Sequence, residues 1–313
     1  MKIGLPAVSM PINPVFAPNG RTLLVLSVIQ DRHLVLFDEK VPQQGAVTLF
    51  DARANRIAAA ISPDGKQMAM IRSQDGAFEV WLSRLDKGIA GPARQLTHGL
   101  KVHHPQSLQW SPDGRSIAVG LMQQPGQTRL VDVATGDFSG VHAPGLESTT
   151  LRMPQWSLDS RSLLVADGHR CIDEISVGPV PSTRCVVKDD FPDNVRVYGN
   201  HDIYYERRFT NGIYRASLTG DPRPQAVPQL ANVRLSKNWT IAGDGLYFVD
   251  LHDTQRRLQR FDLKTGAITT VLQRVPGILF DATVLSYSPQ AHVLLYTQMA
   301  GSSSSQIVAF PLQ

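Results

Sequence analysis

Trp110-Ser111-Pro112-Asp113-Gly114-Arg115 decides the fold, because the chain writes it more than once. Ile61-Ser62-Pro63-Asp64-Gly65-Lys66 stands upstream, and Trp156-Ser157-Leu158-Asp159-Ser160-Arg161 repeats it downstream with Pro and Gly lost. Phe16-Ala17-Pro18-Asn19-Gly20-Arg21 comes earlier, and Tyr287-Ser288-Pro289-Gln290 closes the series near the C-terminus. The second positions of the first four copies, 17, 62, 111 and 157, lie 45, 49 and 46 residues apart. The 131 residues from 157 to 288 leave room for two more units, with turns at Gly199-Asn200 and Ala242-Gly243-Asp244-Gly245. Seven units follow.

Each copy has the same physical content. Pro presets φ for a turn, Asp bonds its own backbone, and Gly supplies the positive φ that closes a hairpin. A short apolar strand follows, as in Met68-Ala69-Met70-Ile71, Ile117-Ala118-Val119-Gly120, Leu163-Leu164-Val165-Ala166 and Val293-Leu294-Leu295-Tyr296. Alternating strands come next, such as Phe78-Glu79-Val80-Trp81-Leu82 and Leu258-Gln259-Arg260-Phe261-Asp262-Leu263. Four short antiparallel strands at this period make the blade of a β-propeller. The expected fold is all-β: one seven-bladed propeller over residues 1–313, with four-stranded blades and few helices. The Ala-rich stretch before the second copy reads as strand over Arg56 to Ile61. Gly301 with Ser302 to Ser305 reads as a hairpin loop. The last unit runs one strand short, and an open edge invites aggregation. Ile3 to Met10 are therefore expected to close the ring by pairing with Ile307 to Phe310.

Composition bounds the function. Hydrophobic content of 42% with 19% charge is that of a globular chain. The net charge of +4 is scattered rather than gathered into a patch, which speaks against direct nucleic-acid contact. No apolar run approaches the ~20 residues of a membrane helix, and the start lacks a secretory signal's apolar core. The chain thus reads as cytosolic or as the soluble piece of a longer precursor, bound to a membrane only through an upstream segment.

At its turns the sequence resembles the TolB-type propeller family, whose repeats carry W-S-P-D-G before a short apolar strand. A narrower resemblance runs from Asn238-Trp239-Thr240 through Gly245-Leu246-Tyr247-Phe248-Val249-Asp250 to Arg260-Phe261-Asp262-Leu263-Lys264-Thr265-Gly266, with Asn211-Gly212-Ile213-Tyr214-Arg215. This tract is similar to the C-terminal propeller of CadC-like membrane-anchored winged-helix regulators. That resemblance implies a periplasmic sensor domain without catalysis, whose parent protein binds DNA elsewhere. The TolB resemblance implies instead an envelope scaffold for protein partners. A propeller-based hydrolase or lyase is the third reading.

Candidate sites are few. Trp110, Trp156 and Tyr287 are expected to pack between blades, where large flat side chains are needed. His103-His104 cannot chelate together without another ligand, since neighbours on a strand face opposite sides. His201-Asp202 and His252-Asp253 are loop dipeptides that would bind a polar ligand or partner if they met at one mouth of the channel. Tyr204-Tyr205-Glu206-Arg207-Arg208-Phe209 mixes aromatic and basic residues, a pattern of anionic-polymer surfaces that an alternating strand with one wet face also produces. The chain holds no G-x-S-x-G elbow, H-E-x-x-H pair or phosphate loop, so no catalytic residue, metal or cofactor is expected. Cys171 and Cys185 form no zinc or C-x-x-C pattern. A hairpin turning at Gly178-Pro179-Val180-Pro181 brings them opposite each other, and a disulfide there would favour the periplasm over the cytoplasm.

Overall fold

The computed structural model describes residues 10–16, 22–38, 46–52, 58–74, 77–86, 89–100, 105–121, 128–146, 153–199, 201–275, 285–288 and 293–311. The chain opens with β1 (Met10–Phe16), β2 (Thr22–Asp38) and β3 (Ala46–Ala52). Five antiparallel meanders follow, each from one contiguous stretch. The first holds β4 (Ala59–Ile61), β5 (Gln67–Gln74), β6 (Ala77–Asp86), β7 (Ile89–Ala90) and β8 (Arg94–Gln95). The second is β9 (Pro105–Trp110), β10 (Ser116–Leu121), β11 (Arg129–Asp132) and β12 (Phe138–Gly140). The third is β13 (Gln155–Trp156), β14 (Ser162–Ala166), β15 (Cys171–Ser176) and β16 (Thr183–Lys188). The fourth is β17 (Pro192–Tyr198), β18 (Asp202–Arg207), β19 (Tyr214–Ser217) and β20 (Gln225–Ala226). The fifth is β21 (Trp239–Ala242), β22 (Gly245–Val249), β23 (Leu258–Asp262) and β24 (Ile268–Leu272). β25 (Leu285–Ser288) and β26 (Val293–Pro311) end the chain.

This architecture corrects the expectation of seven blades. Among the described residues there are five blades of contiguous chain and one composite sheet, ordered β1-β2-β26-β25 with β3 on β2. The first and last repeat units share that sheet instead of forming one each. The cause is visible in the pairing. β2 runs from Thr22 to Asp38, antiparallel to β26 from Thr22↔Pro311 to Asp38↔Val293. Leu23 to Leu26, not Ile3 to Met10, therefore lie opposite Ile307 to Phe310. Residues 1–9 lie outside the described residues. Gly301 to Ser305 form no hairpin loop: they belong to β26, with Ser303 to Ser305 opposite Gln30 to Val28 and a register shift beside them.

The repeated turns join first strands to second. Ser62, Ser111 and Ser157 each donate a 2.6 Å hydrogen bond to Asp64, Asp113 and Asp159. Gly65 and Gly114 take φ of 71° and 72°, and Ser160 adopts φ 60° where the third copy has lost its Gly. Packing between successive sheets supplies the core. Trp110 Nε1 donates to Ala60 of the preceding sheet, Trp156 Nε1 donates to Gln109, and Tyr287 stacks on Tyr247 at 4.4 Å. Ile61, Met68 and Met70 of the first blade pack with Leu295 of the composite sheet. Of the stretch 56–61, residues 56 and 57 lie outside the described residues, and β4 covers Ala59–Ile61. The described residues hold no α-helix, only a 3-10 turn at Pro228–Leu230. None has a helix long and apolar enough to cross a membrane.

Candidate functional site

The two loop dipeptides do not converge. His201-Asp202 sits at the turn between β17 and β18, whereas His252-Asp253 lies in the loop between β22 and β23. In an antiparallel meander these are opposite ends of the blade. Their side chains are engaged locally: Asp202 takes a 2.8 Å bond from Arg215, and Asp253 takes one of 2.8 Å from Arg257. His201 Nδ1 lies 3.1 Å from Thr219 Oγ1. His103 and His104 fall outside the described residues.

Cys171 and Cys185 are joined in a disulfide with Cα atoms 5.6 Å apart. The register differs from a simple hairpin. Asp173, not Cys171, lies opposite Cys185, and a shift after Ile172 places Cys171 opposite Lys188. The bond is thus diagonal across the bulged pair. Asp173 shares a small group with both sulfurs, but two bonded sulfurs offer no thiolate to a metal.

The end of the blades that carries the β18–β19 loop and the approach to β21 has a distinct surface. Phe209 is 80% exposed and Phe191 45% exposed, and their rings meet edge to face at 5.5 Å. Beside them a cleft of about 510 Å³ is lined by Arg207, Arg208, Arg234 and Lys237 with Asp193 and Glu206. Asp189 holds the first of these cations: it accepts bonds from Arg207 Nε (2.8 Å) and Tyr205 Oη (2.5 Å). Arg207 also lies 3.8 Å over the Tyr214 ring. Lys237 and Arg208 share Asp193 at 3.5 and 3.9 Å. Arg234 makes no ion pair among the described residues, and Glu206 is spent internally. Glu206 accepts from Asn194 Nδ2 (2.9 Å), Trp239 Nε1 (2.8 Å) and Lys237 N (3.0 Å), while burial pushes its carboxyl above the usual range. Of the seven described non-glycine residues with positive φ, Ser236 and Lys237 line this cleft, and Phe191 and Asn194 stand beside its Asp193 in the chain. Strain of that kind gathers where backbone is held for a purpose. In sequence, the strand pattern of 204–209 hid the exposure of Phe209, and nothing marked Phe191.

A second cavity, of about 190 Å³, lies where the first strands meet, with residues of β4, β9, β13, β17, β21 and β25 in its wall. Arg196 is the single charged residue among the described residues of that wall. Burial lowers its pKa to about 10, opposed by Glu206 and Asp193, so it stays a cation at neutral pH. Sequence gave no signal for it, since a lone Arg in Asn194-Val195-Arg196-Val197 reads as the wet side of a strand.

No family model matches the chain, and no curated protein matches it. Solved structures do. A protein assigned as TolB from Agrobacterium tumefaciens superposes with a TM-score of 0.56 at 17% identity, over 87% of this chain and 99% of that one. A chain of the nidogen/laminin complex gives 0.56 at 14%, over 86% and 98%. A protein assigned as a 6-phosphogluconolactonase from Bacteroides uniformis gives 0.50 at 14%, over 90% and 97%. At these identities the likeness is one of fold: this chain has the β-propeller fold that these structures share, and the fold alone does not choose among such functions.

Proposed function

We propose that this chain is a non-catalytic binding propeller that docks a protein partner, in the TolB manner, through the face carrying Phe191 and Phe209. The exposed aromatic pair beside the cationic cleft carries the reading. Aromatic anchors flanked by Arg are the composition of interface hot spots, where desolvated rings supply most of the binding energy. Four cations face two carboxylates of which one is internally bonded, so the fitting partner segment is acidic with an apolar residue at its centre. A periplasmic address agrees with the Cys171–Cys185 bond, which persists in oxidising compartments. The narrower reading, a sensor domain of a CadC-like regulator, is supported by the tracts 211–215 and 238–266 alone. The test places a photo-crosslinking residue at Phe209 and, as control, at Thr219 on the opposite end of the same blade, in the native host. A discrete protein adduct at 209 and none at 219 is expected. Equal adducts, or none at 209, would contradict the reading.

A further inference from the structure

We infer that the central cavity is a binding site for a small organic carboxylate, held on the guanidinium of Arg196. Arg196 is 5% exposed, and its Nη1 donates one hydrogen bond, to the Val195 carbonyl at 2.8 Å. It makes no ion pair among the described residues. The nearby Glu206 carboxylate is occupied by Asn194, Trp239 and Lys237. The Trp239 ring lies 5.5 Å from the guanidinium carbon and covers one face of the group. What remains is the donor edge. Arg196 is one of the residues that line the cavity.

No described carboxylate forms an ion pair with Arg196, and Glu206 and Asp193 offset its burial only in part, so a desolvation cost remains. An anion brought into the cavity would offset it, and a planar carboxylate fits the guanidinium fork through two parallel hydrogen bonds. One cation and no second among the described residues of the wall favours a monoanion over a phosphate group, which carries about two charges. The rest of the wall is neutral and partly polar. Gln109 and Gln155 occupy the same place in two successive repeats, directly before Trp110 and Trp156. Both line the cavity, are half-buried, and spend no side-chain hydrogen bond on a described residue. With Thr240 they offer donors and acceptors to hydroxyl groups on a ligand. At about 190 Å³ the space admits a small hydroxy acid.

The experiment titrates the full chain with sodium lactate, sodium acetate and inorganic phosphate by calorimetry and by saturation-transfer NMR. Lactate is expected to bind saturably with one site, more tightly than acetate and than phosphate. Arg196→Gln should weaken lactate at least about tenfold, the worth of a charge-assisted bond. Should that variant fail to fold, Gln109→Leu with Gln155→Leu, which touches no charge, should weaken lactate while leaving acetate unchanged. Phosphate binding tighter than either carboxylate would overturn the inference, as would no saturable carboxylate binding into the millimolar range. Lactate binding unaltered in a folded Arg196→Gln, or in the double glutamine variant, would do the same. The site is independent of the Phe191–Phe209 face, so either proposal can fail alone.

Discussion

Replacing Asp173 with Asn should raise stability at neutral pH and flatten its pH dependence. Asp173 is 5% exposed, its Oδ2 has no hydrogen-bond partner, and Cys185 stands opposite it on the neighbouring strand. Burial, with repulsion from Asp167, raises its pKa from 3.8 to about 6. The folded protein therefore holds this proton to higher pH than the unfolded chain does. The group's contribution is fully favourable below pH 3.8 and is lost as pH rises through about 6. At 1.36 kcal/mol per unit, the shift corresponds to at most about 3 kcal/mol, and solvent screening brings it to about 1–3 kcal/mol. Asn carries no charge and so escapes that loss, whatever fixed offset its amide adds. Urea unfolding of both proteins at intervals from pH 4 to pH 8 measures the gap between them. The gap should move in favour of Asp173→Asn by about 1–3 kcal/mol across this range. A gap constant with pH would refute the reasoning, and one moving the other way would show that Asp173 is stabilised as an anion.

Other expectations follow from the same geometry. Glu206→Ala should cost about 3 kcal/mol or more in urea unfolding, since three buried donors lose their acceptor. Glu206→Gln, which keeps an acceptor, should cost clearly less, and equal losses would mean the charge itself matters. Reducing the disulfide, with its separation of 14 residues, should lower stability by about 3 kcal/mol, seen as a drop in Tm with a phosphine reductant. An unmoved Tm would contradict this. Phe209→Ser should leave stability within about 0.5 kcal/mol, because its ring is exposed, while abolishing partner binding. A large stability loss would mark Phe209 as structural.

The repeated turns were legible because their residues act locally. Pro112, Asp113 and Gly114 close a hairpin whatever surrounds them, and the third copy keeps its shape even with Ser160 in the glycine position. The inter-sheet role of Trp110 was legible for a similar reason, since a bulky residue before such a turn has a neighbouring sheet to fill. The number of sheets was not legible. It depends on how far β2 runs, and that is set by a partner strand more than 250 residues away. Cys171 and Cys185 were placed in the right hairpin but the wrong register, because the shift after Ile172 leaves no mark in composition. Arg196 and Phe191 stayed invisible because each draws its meaning from another blade or loop: Arg196 from Trp239 and the glutamines of two other sheets, Phe191 from Phe209.

Both proposed sites lie in a molecule whose two chain ends meet in a single sheet, and that meeting is tested most directly by crosslinking it. Leu26 and Ile307 are paired across β2 and β26, and facing residues of an antiparallel pair stand about 4.5–5.5 Å apart at Cα, within disulfide reach. The double variant Leu26→Cys with Ile307→Cys should oxidise to an intramolecular disulfide, seen as faster migration on a non-reducing gel and reversed by reductant. A control pairing Val15→Cys with Ile307→Cys, on strands that are not neighbours, should stay reduced. Failure of the Leu26–Ile307 pair to close, or equal closure of the control, would contradict the composite sheet.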